Sequence, residues 1–212
     1  MKNNLLFAEV SEQAYNDTVT LPGFITYNIS SGDAQAFLLK SNDLQIVVCR
    51  GTEIASVKDL LADSILIPDD GWHMGFKLYA DAISENLEWL LDSTIPIVFT
   101  GHSLGGAVST ILASRFKNAR TTLYTYGSPR VGMRCVQKDL EGVTHYRWAR
   151  AYDPVPMLPF WPFKHHGKLM FIAPDGSLLE CSLWKRWVLR LFGDYEFGNH
   201  FVKSYVECIK NL

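Results

Sequence analysis

Ser103 stands in the run Gly101-His102-Ser103-Leu104-Gly105, a G-x-S-x-G pattern. The β-rich residues Val98-Phe99-Thr100 lead into it, and Ala107, Val108, Ile111, Leu112 and Ala113 follow at helical spacing. A sharp strand-to-helix turn forces the serine into strained dihedrals, and the flanking glycines keep side chains from clashing there. The turn also sets the serine at a helix N-terminus, where free N–H groups and the dipole favour developing negative charge. Those features suit nucleophilic attack on an acyl carbonyl. The plainer alternative is a glycine-rich turn with an incidental serine, and both flanks argue against it.

A serine hydroxyl is a weak nucleophile at neutral pH, so it needs a base, and the base needs a carboxylate to orient it. Where a G-x-S-x-G elbow of this kind carries the serine, the order is serine, acid, histidine. Among the downstream acids Asp153 stands out. It closely follows the strand-like run His145–Arg150 and opens the turn Asp153-Pro154-Val155-Pro156, whose prolines stiffen the loop that would hold the carboxylate. An ordinary Asp-Pro turn is the competing reading. For the base, His145 lies inside a strand and reads as structural. His165 and His166 compete with His200, which precedes a last apolar-periodic segment (Phe201, Val202, Tyr205, Val206, Ile209). The residues alone leave that choice open.

The elements that must position these groups are legible as an α/β chain. Residues 4–16 have helical spacing, 24–29 and 34–40 read as short strands, and 44–49 as a buried strand. Gly71 opens a turn into a helical pattern reaching Leu91. Strands are expected over 95–100, 121–126, 145–150 and 168–173, with a helix over 105–116. The antiparallel-looking start followed by alternating elements implies a mixed, mostly parallel central sheet flanked by helices, in a single domain over residues 1–212. A net charge of −2 in 212 residues argues against a nucleic-acid partner. No run reaches the roughly 18 apolar residues of a membrane span. Glu9, Glu12 and Asp17 interrupt the N-terminal apolar stretch, so no signal peptide is expected and the compartment expected is the cytoplasm. Cys49, Cys135, Cys181 and Cys208 lack paired metal spacing and are expected as reduced thiols, Cys49 in the core. No metal or organic cofactor is implied.

Four stretches resemble the class 3 lipases, the fungal-type family within the α/β-hydrolases. Val47-Val48-Cys49-Arg50-Gly51-Thr52 is similar to the family's strand and oxyanion loop, and Gly71-Trp72-His73-Met74-Gly75-Phe76 to its V-H-x-G-F segment. Thr100 to Ala107 matches its T-G-H-S-L-G-G-A elbow, and Tyr124 to Gly132 its T-F-G-x-P-R-x-G strand and turn. Asp153-Pro154-Val155-Pro156 fits its acid loop. The resemblance implies the α/β-hydrolase fold, with Ser103 as nucleophile, Asp153 as orienting acid and His200 as base. It gives His166 a structural place, and it puts the oxyanion hole at the backbone N–H groups of Leu104 and Thr52, with the Thr52 hydroxyl as a further donor. His102 is expected to pack and hydrogen-bond, and His73 to link loops.

Substrate contacts are expected from three stretches. Val57, Leu60 and Leu61 share a helical face in a segment that in the family is either a mobile lid or a short fixed helix. Residues 183–192 place Trp184, Trp187, Val188, Leu191 and Phe192 opposite Lys185, Arg186 and Arg190. That pattern suits a helix lying at a membrane interface, or a cap over an acyl pocket. Trp161, within Pro159-Phe160-Trp161-Pro162-Phe163, reads as pocket wall or as plain packing. The function expected is hydrolysis of acylglycerol or other lipid esters through an acyl-enzyme, with transient contact to a lipid surface. Two alternatives stand beside it: a non-catalytic lipase-like binding module, and a serine hydrolase acting on phospholipid or thioester acyl groups.

Overall fold

The computed structural model describes residues 2–51, 67–179 and 197–212. Within them one eight-stranded sheet runs β1 (Ile25–Asn28), β2 (Ala36–Lys40), β3 (Gln45–Cys49), β6 (Ile97–His102), β7 (Thr121–Tyr126), β8 (Thr144–Arg150), β9 (Lys168–Ile172) and β10 (Leu178–Leu179), in that spatial order. β1, β2 and β3 pair antiparallel. From β3 to β9 every pairing is parallel, and β10 closes the edge antiparallel. The fold is that of an α/β-hydrolase, as the sequence implies.

Alternation along β3 shows how the strands serve both faces. Val47 and Cys49 join a core with Phe99, Leu123 and helices α2 (Met74–Leu87) and α3 (Leu104–Arg115). Ile46 and Val48 join the opposite core, with Phe7 and Val10 of α1 (Lys2–Gln13) and Tyr205 and Ile209 of α4 (Val202–Lys210). A central strand buried on both sides reads as a continuous apolar run because neither face meets water. Helix α3 is buried all round from Leu104 to Ala113, as a central helix rather than a surface one must be.

Short elements differ from the sequence reading. Before α2 the chain makes a two-stranded hairpin, β4 (Pro68–Asp69) with β5 (Trp72–His73), through Asp70 and Gly71 at positive φ. Two-residue strands leave no periodicity to read. β6 begins two residues later than expected, after Pro96, which has no N–H for the ladder; its carbonyl still accepts from Gln45 N. Among the described cysteines Cys49, Cys135 and Cys208 are free, with Cys49 buried.

The elbow glycines are required by close approach. A Cβ on Gly105 would run into the Cys49 carbonyl group and the Arg50 backbone, and one on Gly101 into the Gly105 carbonyl group. Strand β3, strand β6 and the start of α3 therefore meet through backbone that cannot give way. Gly105→Ala is expected to cost about 2–3 kcal/mol through overpacking and to lower Tm by roughly 4–12 °C. A melting temperature within 2 °C of the parent would contradict this packing.

Candidate active site

The parallel strands end on the same side of the sheet, and the polar cluster forms there, at the carboxyl ends of β6, β7 and β8. Ser103 lies between β6 and α3 with φ 56° and ψ −127°, a conformation that side chains rarely adopt. It is held by Ser103 N donating to Tyr126 O at 2.9 Å, while its own carbonyl accepts from Gly106 N and Ala107 N in the first turn of α3. As first residue of that helix, Leu104 has no intrahelical acceptor for its N–H, the kind of donor that can meet an oxyanion.

His200 Nε2 lies 2.8 Å from Ser103 Oγ, and His200 Nδ1 lies 2.9 Å from Asp153 Oδ2. All three residues are buried. The carboxylate is fixed twice more: Oδ1 accepts from Val155 N at 3.0 Å, and Oδ2 accepts from the Tyr205 hydroxyl at 2.6 Å. Tyr205 in turn accepts from Arg150 N at 3.1 Å. Burial, reinforced by the Asp153 charge, holds the Tyr205 hydroxyl well above its usual acidity range, so it remains a donor. The set rests on Gly127, at φ 58°, where a Cβ would press on Asp153 Oδ2 and the His200 ring at 3.0 Å.

Such an arrangement can move a proton from Ser103 to His200 and stabilise the resulting imidazolium on Asp153. Sequence reasoning missed Tyr205 as part of it. The signal available was weak: a tyrosine on a buried helix face needs a partner for its hydroxyl.

The other histidines have other partners. His165 Nε2 donates to Pro156 O at 2.6 Å, and His166 Nδ1 lies 3.3 Å from His145 Nδ1. These three line a separate cavity with Trp72 and Leu140, and no member of the Ser103, His200 and Asp153 set lines it. His73 is buried against Phe76 and Phe163, its main-chain N–H bonded to Val131 O, and burial lowers its pKa to about 4. Trp161 is 82% exposed. Thr52, Val57, Leu60, Leu61, Trp184 and Trp187 lie outside the described residues. Among the described residues no cluster of His, Cys, Asp and Glu could hold a metal, and no helix is long and apolar enough to cross a membrane.

The family described as Lipase (class 3) matches residues 46–163. The secreted mono- and diacylglycerol lipase 1 of Fusarium solani is 38% identical over 104 residues, which cover 44% of this chain and 31% of that protein. The secreted mono- and diacylglycerol lipase A of Penicillium cyclopium is 29% identical over 136 residues, 56% of this chain and 44% of that one. The chain thus spans less than half the length of these relatives. A structure of Rhizomucor miehei triacylglyceride lipase superposes with a TM-score of 0.74 at 20% identity, over 94% of this chain and 92% of that one. The cytoplasmic expectation is corrected by these relatives. It rests on the acidic residues that interrupt the N-terminal apolar stretch, whereas the Fusarium solani and Penicillium cyclopium proteins are secreted.

Proposed function

The chain belongs to the class 3 lipase family, and from that membership we propose that it hydrolyses carboxylic esters of lipids, acylglycerols foremost, through an acyl-enzyme on Ser103. In this reading residues 1–212 act as one hydrolase domain. The observation that carries it is the unbroken chain of contacts from Ser103 Oγ through His200 to Asp153. As Oγ attacks the ester carbonyl, His200 Nε2 takes its proton. Asp153 keeps the other proton on Nδ1 and stabilises the imidazolium. The carbonyl oxygen, now an oxyanion, is met by the Leu104 N–H, with the Thr52 groups as the second donor. A donor of this kind is worth about 2.7–4 kcal/mol in the transition state. His200 then gives its proton to the departing alcohol, activates water, and returns Ser103 free. The test is turnover of short and long p-nitrophenyl esters and of a diacylglycerol emulsion by the parent and by Ser103→Ala. Equal turnover by the two would sink the reading.

The substrate side offers a lipid-facing surface. Phe160 and Trp161 are 61% and 82% exposed at the tip of a loop that follows the Asp153 turn directly. The loop is pinned at its root by Arg130 N to Leu158 O, Arg130 to Pro159 O, Lys164 N to Gly132 O, and buried Phe163 against His73. Exposed aromatics on a fixed tip, with cations at the root, suit the boundary between headgroups and acyl chains. Phe160→Ala with Trp161→Ala is expected to weaken sedimentation with anionic vesicles by about tenfold, since each buried aromatic contributes about 1.5–3 kcal/mol and the tip inserts only in part. Turnover of a soluble butyrate ester should stay within twofold. Unchanged vesicle binding would contradict this contact.

A further inference from the structure

Among the described residues, no backbone-to-backbone hydrogen bond ties His200 to the sheet. It ends a four-residue turn, Phe197–His200, and Phe201 N reaches back to Gly198 O only at 3.5 Å. Yet a general base must hold its nitrogen within hydrogen-bond reach of the hydroxyl it serves. Asp153 fixes the far side of the ring. The backbone is fixed elsewhere, by a residue adjacent to the nucleophile: His102 Nε2 lies 2.6 Å from the His200 carbonyl oxygen.

A carbonyl oxygen only accepts, so the His102 proton sits on Nε2. Its other nitrogen, Nδ1, is 2.7 Å from the Tyr15 hydroxyl. With the ring neutral, Nδ1 accepts and Tyr15 donates. Burial keeps His102 neutral and keeps Tyr15 protonated. Facing His102 are Tyr15, the His200 ring at 4.6 Å and the Tyr205 ring at 5.9 Å, and the Arg50 guanidinium lies over the Tyr15 ring. Tyr15 is itself wedged in place: a Cβ on Gly51, just beyond β3, would strike its hydroxyl.

We propose that His102 is a positioning residue: its Nε2–H, locked in that tautomer by Tyr15, carries the main chain of His200 and so sets the Ser103–His200 distance. The contacts close a ring. Ser103 Oγ meets His200 Nε2, the His200 carbonyl meets the His102 side chain, and His102 is joined to Ser103 by a peptide bond. Nucleophile and base thereby move as one unit rather than as two loops. A neutral ring also suits this place, because a cation there would oppose the imidazolium that forms on His200 during attack. Tyr15, in the turn after α1, extends the same hold to the strand end that leads into the oxyanion loop.

This inference rests on Ser103 and His200 as nucleophile and base, and its test separates the two. Turnover of p-nitrophenyl butyrate is measured for the parent, Ser103→Ala, His102→Leu, His102→Gln and Tyr15→Phe, with thermal melts to establish folding. Misplacing the base is expected to lower kcat of His102→Leu about 10–100-fold with KM within twofold. His102→Gln, whose amide N–H reaches the same carbonyl, should recover to within about fivefold of the parent, and Tyr15→Phe should fall between. A folded His102→Leu with parental kcat, or a His102→Gln as slow as His102→Leu, overturns the proposal. Should His102→Leu not fold, Tyr15→Phe with parental kcat overturns it instead. Absence of Ser103-dependent turnover in the parent would mark failure of the underlying reading.

Discussion

Replacing His200 by alanine is expected to lower kcat on a soluble ester by about 10⁵–10⁶-fold, the scale on which a nucleophile and its base act as a unit. His166→Ala on the same substrate should stay within a few-fold of the parent. The difference follows from where the two rings lie. His200 Nε2 is 2.8 Å from Ser103 Oγ, and its Nδ1 is committed to Asp153. His166 instead faces His145 across 3.3 Å, and His145 in turn contacts the Thr125 hydroxyl at 3.0 Å. His166 and His145 share a cavity wall and no contact with Ser103. Loss of turnover in His166→Ala with retention in His200→Ala would refute the assignment of the base.

Asp153→Asn is expected to lower kcat by about 10⁴-fold with the fold intact. The reason lies in the donors around the carboxylate. Oδ1 accepts from Val155 N, and Oδ2 accepts from both Tyr205 and His200. An asparagine must put its NH₂ in one of those places. At the Oδ1 position it would face the Val155 N–H, donor against donor. At the Oδ2 position it would donate to His200 Nδ1 and to the Tyr205 oxygen, which already accepts from Arg150 N. The second arrangement satisfies more hydrogen bonds, and it moves the His200 proton onto Nε2. A base that presents N–H to Ser103 cannot take the serine proton. Circular dichroism should match the parent while turnover collapses. Turnover within tenfold of the parent would contradict this account of Asp153.

How much of this was legible in the sequence depends on how local each constraint is. The elbow is legible because its demands fall on adjacent residues: a strand run, two glycines that must pass close to β3, and a helix that starts at once. The central strands are legible for the same reason, since β3 and β6 are buried on both faces and read as apolar runs. Asp153 stands out because prolines stiffen the turn that carries it. Tyr205 does not stand out. By spacing it is one apolar member of a helix face, and its partner Asp153 lies 52 residues away. Tyr15 and His102 are 87 residues apart and meet only once the sheet has brought α1 beside the elbow. The choice among His165, His166 and His200 is likewise a tertiary matter. All three lie beyond the acid in order, and only the packing of β8, β9 and α4 separates them. Trp161 shows the opposite limit: its prolines predict a rigid loop, but not that the ring points to solvent.

The proposed mechanism rests on Ser103 as nucleophile and His200 as its base. Labelling of the folded protein with a fluorophosphonate, followed by peptide mass mapping, tests it most directly. One equivalent of adduct on the peptide bearing Ser103, with labelling lost in Ser103→Ala and slowed by orders of magnitude in His200→Ala, is the result expected. Adduct on a different serine, or a folded protein that takes up no label, would contradict it.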